Sequence, residues 1–453
     1  MLQQALGAIF LIAFASALHQ FGPLLSSRGL LPIPDYLHRR TFKQAPSLFH
    51  WRYSDRLYRG VCWLGIVLSL LALAAKLGLL GWLLLTFLYL SLVNVGQRFY
   101  GFGWESMLVE AGFFAAFMPG WAAVFALRWM LFRTEMGAGL IKLRHDRCWR
   151  DFSCLDYHYE TQPVPNPWSW YFHRLPRWFH RLSVLGSHLI QLAVPFALFL
   201  PQPWAWWAGL AIIAHNGWLI ISGNYAWLNW LTLVLAFSAF PGTADGGWLQ
   251  WPLLFFTLWL SKEPLLNLTR KSQLMNYSYN AWRLVNAYGA FGSVSRQRYE
   301  VILQGSDQLF PEGSDWREYE FWAKPGDPAR RPPQIAPYHL RLDWLIWFVP
   351  LGLTLDLSLR DRPERRLAWR YETWFIALMD RLLENDSDLT RLLRYNPFAG
   401  GKPPTTIRAV VYHYRYSTAE ERQQTGHWWV RTQVGVYLPD YHGDLGNSRT
   451  QRS

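Results

Sequence analysis

The chain has 453 residues, of which 51% are hydrophobic and 17% charged, with 28 Trp and a net charge of +13. A soluble protein carries nearer a quarter charged residues, and Trp is enriched where apolar and wet environments meet, so the composition excludes an ordinary soluble enzyme. The basic excess flanks apolar runs and comes with no nucleic-acid recognition motif, so it points to anionic headgroups and not to nucleic acid. Three cysteines are too few for a disulfide framework.

In chain order, apolar runs fall at 6–25, 61–80, 83–95, 104–118, 121–143, 182–200, 204–221, 225–240 and 248–260. A span needs about 20 such residues, so the pattern predicts an α-helical polytopic membrane domain over 1–261. Its helices number about eight or nine, the short ones tilted or re-entrant. Polar loops are expected at 26–59 and 144–178. The basic loops alternate with uncharged turns, and the positive-inside rule then puts the C-terminal part in the cytoplasm.

From Lys262 the composition changes, and a soluble α+β, β-rich domain is expected over 262–440. Short strands are predicted at 299–303 and 319–323. Strict alternation from Trp428 to Leu438 predicts a half-buried strand, with 407–416 as its partner. The stretch 365–394 reads as helix. The run 344–355 is too short to span and is expected in the interface, or packing the domain against the membrane. A disordered tail is expected over 441–453.

The motifs for hydrolysis are missing. No G-x-S-x-G elbow occurs, since Gly292-Ser-Val-Ser-Arg296 lacks the second glycine. No H-E-x-x-H zinc motif occurs either. Lys142 ends an apolar helix behind the small residues Gly137, Ala138 and Gly139, which permit close helix packing. Its ammonium either snorkels to the headgroups or, desolvated in a cavity, acts as a base. Glu105 and Glu110 lie about 140° apart on one apolar helix. They are the other catalytic candidates, and one of them is expected to pair with a base from 121–143. Cys148 and Cys154 form a disulfide on an oxidising side of the membrane, or stay free thiols in the cytoplasm. The aromatics around them (Trp149, Tyr157, Tyr159, Trp168 and Trp170) and Trp428 and Trp429 farther on are candidates for a client-binding surface. The prolines at 163, 165 and 167 favour an extended path there. No metal site and no cofactor is expected.

The stretch GAGLIKLRHDRCWRDFSCLDYHYETQPVPNP resembles the signature of the lipase maturation factor family. So do RFYGFGWESMLVEAGF, ISGNYAWLNWLT and LVNAYGAFGSVSRQRYEVILQGS. The likeness continues through YEFWAKPGDPARRPPQIAPYHLRLDWLIWF, YNPFAGGKPP and HWWVRTQVGVYLP, in order along most of the chain. The resemblance implies a multipass protein, in animals resident in the endoplasmic reticulum. There it would help secreted homodimeric lipases, lipoprotein lipase among them, to fold and assemble. It would act as a chaperone-like factor and not as a lipase. The compact chain suggests a bacterial member, with the inner membrane in place of the reticulum. The family's C-terminal domain is expected on the lumenal side, against the loop-charge reading. Lys142-Leu143 with Trp149 also looks a little like the segment around the active-site lysine of vitamin K-dependent carboxylases. The alternative is therefore an intramembrane enzyme acting on a lipid-like or protein substrate, with Lys142 as base.

Overall fold

A computed structural model describes residues 1–242, 246–351 and 371–443. Helix α1 (Leu2–Leu25) packs along α2 (Asp55–Leu73), which Ser54 caps by accepting the Leu57 N–H. The two helices approach closely because Gly7 and Gly65 carry no side chain. A Cβ on Gly65 would lie 2.4 Å from the Phe14 ring. Helices α3 (Leu79–Val95) and α4 (Gly103–Ala115) follow. Next comes the 24-residue α5 (Trp121–Arg144), which packs against helices on several sides.

After a cap of short turns around α6 (Leu155–Thr161), the chain returns through α7 (Arg177–Leu192), α8 (Trp204–Ser222), α9 (Leu228–Ala236), α10 (Gln250–Leu260) and α11 (Lys262–Thr269). Among the described residues, four helices are long and apolar enough to cross a membrane: Leu2–Leu25, Asp55–Leu73, Arg177–Phe199 and Trp204–Ser222. Leu79–Val95 and Leu228–Ala239 are apolar but shorter. Helix α5 has the length and lacks the apolar composition, because Arg128, Arg133, Glu135, Lys142 and Arg144 lie on it. All five have partners within the protein, among backbone carbonyls and polar side chains. Trp63 and Leu70 of α2, Leu182 and Leu189 of α7, Trp207 of α8 and Trp259 of α10 are exposed. Such an apolar girdle would be unstable in water and is at home in hydrocarbon.

The C-terminal part is one antiparallel sheet of order β2-β1-β3-β4, with β1 Arg298–Ser306, β2 Arg317–Glu318, β3 Thr406–Tyr416 and β4 Trp429–Tyr441. The strand predicted over 319–323 does not form. The Ala323 N–H is donated to the Asp343 carboxylate at 2.7 Å, and Glu320 makes only an isolated bridge with Tyr395. The β3–β4 register shifts at three places between Ile407 and Tyr412. Half-burial consequently fails mid-strand, where Val434 and Val436 are exposed. The helix predicted over 365–394 is, in its described part, α13 (Thr373–Leu383) and a short turn Ser387–Thr390, with Asn385 at φ +49° between them; 365–370 lie outside the described residues. Tyr441 is buried in β4 and does not start a tail, and 444–453 lie outside the described residues.

Of the segment expected over 344–355, in the interface or packing the domain against the membrane, Trp344–Ile346 are buried and Phe348 is exposed. Helix α12 (Arg341–Ile346) is wholly buried, with Trp344 edge-on to Trp104 at 4.9 Å; 352–355 lie outside the described residues. The chain beside it is stitched to α1: Gln20 donates to the His339 carbonyl at 2.7 Å and accepts from the Arg341 N–H at 2.9 Å. Helices and sheet thus share one core.

Candidate functional site

Lys142 sits where α5 comes closest to its neighbours. A Cβ on Gly137 would lie 2.2 Å from the Tyr288 carbonyl oxygen, and one on Gly139 2.7 Å from Leu192. This proximity draws the lysine inward. It is 5% exposed and does not snorkel. The ammonium donates to Gln191 Oε1 at 2.8 Å and Ser187 Oγ at 3.3 Å, and lies 4.7 Å from the centre of the Trp149 ring. Glu135, seven residues earlier and therefore on the same face, accepts from Asn216 Nδ2 at 3.0 Å.

Lys142 and Glu135 line a cavity of about 380 Å³ bounded by α5, α7, α8, α9 and the cap. The walls are largely apolar, from Met107, Val184, Ile190, Leu219 and Leu228. Set into them are Gln191, Ser187, His158, His215, Asn216 and Tyr225. This mixture of apolar wall and a few convergent polar groups is that of small-molecule sites. His158 bonds to the Tyr225 hydroxyl at 2.9 Å. Burial, with the Lys142 charge beside it, pushes the His158 imidazole down to about 3, so it is neutral at physiological pH.

Over the cavity, Cys148 and Cys154 are joined, with Cα atoms 4.7 Å apart. Asp146 lies beside the two sulfurs. However, the sulfurs are used in the bridge, and Asp146 pairs with Arg296 at 2.8 Å and accepts the Cys148 N–H at 3.1 Å. The cluster is structural. Trp149 donates to the Phe291 carbonyl at 2.7 Å, and His180 is held between Asp156 and the Phe172 carbonyl, both at 2.9 Å.

The extended run at 162–165 offers its carbonyls to the C-terminal part. Arg298 donates to Gln162 O at 2.6 Å and Lys324 to Pro163 O at 3.1 Å. Both cations also meet the buried Glu300, at 2.5 and 2.9 Å.

The seven aromatics expected to form a client surface are mostly not at the surface. Trp149, Tyr159, Trp170, Trp428 and Trp429 are buried, and Tyr157 is half-buried. Trp170 donates to the Ser417 carbonyl at 3.0 Å and Trp429 stacks on Tyr416 at 4.0 Å. Trp170, Trp428 and Trp429 therefore form the seam between cap and sheet. Trp168 alone of the seven is open, at 52% exposure, beside Tyr171 and Arg331.

Glu105 and Glu110 are both buried and neither lines the cavity. Glu110 pairs with Arg133 of α5, the kind of partner expected. Glu105 pairs instead with Arg341, 236 residues away, and also binds Tyr89 and His339. Glu135, Gln191 and His215 were missed as cavity residues. For Glu135 the seven-residue spacing to Lys142 was an available signal; for the others, on separate helices, none was.

Asp343 gives the assembly a testable pH dependence. Burial holds its carboxyl up to about 6, against 3.8 for the free group, although the Ala323 N–H and Lys324 pull it down. The folded chain therefore keeps a proton that the unfolded chain releases between about pH 4 and 6. Its contribution is full at the acid end and is lost as pH rises through 6. Asp343→Asn keeps the acceptor and removes the slope. Relative to wild type, the variant should gain stability from pH 4 to 7 by an amount on the order of 3 kcal/mol. Melting curves of both proteins across that range read the difference; parallel curves would rule the effect out.

Residues 1–244 match the lipase maturation factor transmembrane domain and residues 284–439 the lipase maturation factor C-terminal domain. Lipase maturation factor 1 of Bos taurus is 38% identical over 97% of this chain and 88% of its own length. The Homo sapiens protein of that name is 38% identical over 97% and 86%. Lipase maturation factor 2 of Gallus gallus is 27% identical over 96% and 80%. No solved structure matches the chain.

Proposed function

The chain belongs to the lipase maturation factor family, and from that membership we propose that it is a membrane-embedded, chaperone-like factor that brings secreted lipases to their active fold. The observation that carries this is the extent of the likeness, which runs through both domains and most of the length of the relatives. The client is a secreted lipase or a related secreted protein. The membrane domain uses about eight or nine helices, the short ones tilted or re-entrant. The membrane is the endoplasmic reticulum in a eukaryotic host and the inner membrane in a bacterium.

The disulfide supports placing the cap, and the C-terminal domain seamed to it, on the oxidising side. In intact cells a membrane-impermeant thiol reagent should then leave Cys148 and Cys154 unlabelled until reduction and label them afterwards. Labelling without reduction would keep the cap on that side but leave the two thiols unbridged; no labelling even after reduction would reverse the placement. The function itself is tested in animal cells stripped of their own lipase maturation factor 1 and supplied with this chain and a secreted homodimeric lipase. Active lipase in the medium is the expected result. Inactive lipase, despite normal amounts of the chain in the membrane, would refute it.

One observation favours a second reading, an enzyme of the membrane interior acting on a lipid-like substrate. Lys142 lies in a cavity, beside polar partners and out of bulk water, where desolvation makes a lysine usable as a base. Lys142→Arg keeps the charge and abolishes the base. Full client maturation by that variant would exclude such chemistry.

A further inference from the structure

We propose that the cavity beside Lys142 is a binding site for a neutral lipid with one apolar chain and an uncharged, oxygen-bearing head, taken sideways from the bilayer. The site rests on neither reading above and stands whether or not Lys142 moves a proton.

The head must be uncharged because the cavity is already balanced. Lys142 and Glu135, at 5% and 2% exposure, are net neutral together whether the proton sits on the amine or on the carboxyl. A further charge placed among apolar walls would have no counter-charge and would bear the full desolvation cost. The head must nevertheless hydrogen-bond. His215 lines the cavity at 8% exposure, and its Nδ1 has no partner among the described residues. A hydroxyl or ester oxygen satisfies that nitrogen in either tautomer, as acceptor or, for the hydroxyl, as donor. The Lys142 ammonium, held by Gln191 and Ser187, offers its remaining hydrogen only to the Trp149 ring. An ester or hydroxyl oxygen is a better acceptor than that ring.

The way in is past Gly186. This residue lines the cavity from α7, and a Cβ built on it meets nothing within 4 Å. The outer face of α7 around it is exposed and apolar, with Leu182, Leu185 and Leu189, and α8 presents Trp207 and Ile221 alongside. An opening framed this way, between lipid-facing helices, admits a molecule dissolved in the hydrocarbon and not one dissolved in water.

The test uses the full chain in phosphatidylcholine nanodiscs and a 1-monooleoylglycerol carrying a photoreactive diazirine in its acyl chain. Labelling should map to α7 and α8 and be competed by unlabelled monooleoylglycerol. Oleyl sulfate, the same chain with a permanent charge, should compete about ten-fold more weakly. Gly186→Trp fills the entrance and should lower labelling about ten-fold. Gly217→Trp, on α8, also faces open space but lies off the cavity, and should leave labelling unchanged. The proposal fails if labelling is not competed, if oleyl sulfate competes as well as the neutral lipid, or if folded Gly186→Trp labels like wild type. Competition on the wild-type protein needs no variant, so misfolding of Gly186→Trp leaves the test intact.

Discussion

Arg341→Met should lower stability by about 3–5 kcal/mol, the usual cost of leaving one member of a buried ion pair alone. Its partner Glu105 is fully buried in α4, and the guanidinium lies 3.6 Å from the centre of the Tyr100 ring. Without the arginine, the carboxylate keeps Tyr89 and His339 as its polar partners among the described residues. The damage should concentrate at the junction of the two parts of the chain, because Arg341 opens α12, the helix that plugs the C-terminal part into the bundle. Limited proteolysis of the purified protein should release C-terminal fragments before the helices are cut, and the inactivation temperature should fall. The double variant Glu105→Gln/Arg341→Met leaves no charge buried and should recover much of the loss. A double variant as unstable as Arg341→Met alone would mean that packing on Tyr100, and not the charge, carries the effect.

Arg133→Leu should be comparably damaging, by about 3–5 kcal/mol, through a different joint. Glu110 takes Arg133 on one oxygen. On the other it takes the Asn286 N–H and side-chain amide, both at 2.9 Å, and the Tyr288 hydroxyl at 2.7 Å. The segment around Asn286 is thus tied to α4 and α5 by the Glu110 carboxylate, by Arg133, which also donates to the Asn286 carbonyl, and by Arg283, which donates to Ser106. Losing the cation leaves an anion with neutral donors only. Glu110→Gln should cost less than Glu110→Ala, because an amide oxygen can still accept from Asn286 or Tyr288. The ranking is read from thermal inactivation of the three variants in detergent; equal loss in Glu110→Gln and Glu110→Ala would show that the hydrogen bonds contribute nothing. The Glu105 network does not touch the cavity, so a well-folded survivor of that series should still bind lipid there.

Reading along the chain reached what is encoded along the chain. Long apolar runs marked helices α1 and α8 within four residues of their ends, and α2 with a shift of six to seven residues, because burial in hydrocarbon needs unbroken apolar length. The period-2 pattern marked β3 and β4. The small residues before Lys142 announced close packing, and Glu110 found a base on the following helix. Where prediction failed, the deciding contact lay far off in the chain. Trp428 and Trp170 are interfacial residues by composition, yet they are buried because cap and sheet, some 250 residues apart, close on each other. Lys142 is a snorkelling residue by position, yet Gln191 and Ser187 on α7 draw it inward.

The sequence by itself determined the membrane class, the strand-bearing C-terminal part and the family, since each depends on local periodicity or on motifs in order. Only the tertiary structure decided which charges pair, which aromatics are covered and that a cavity lies beside Lys142. A buried charge or a void is set by what the packed helices leave facing one another, and that arrangement leaves no mark in the spacing of residues along any one of them.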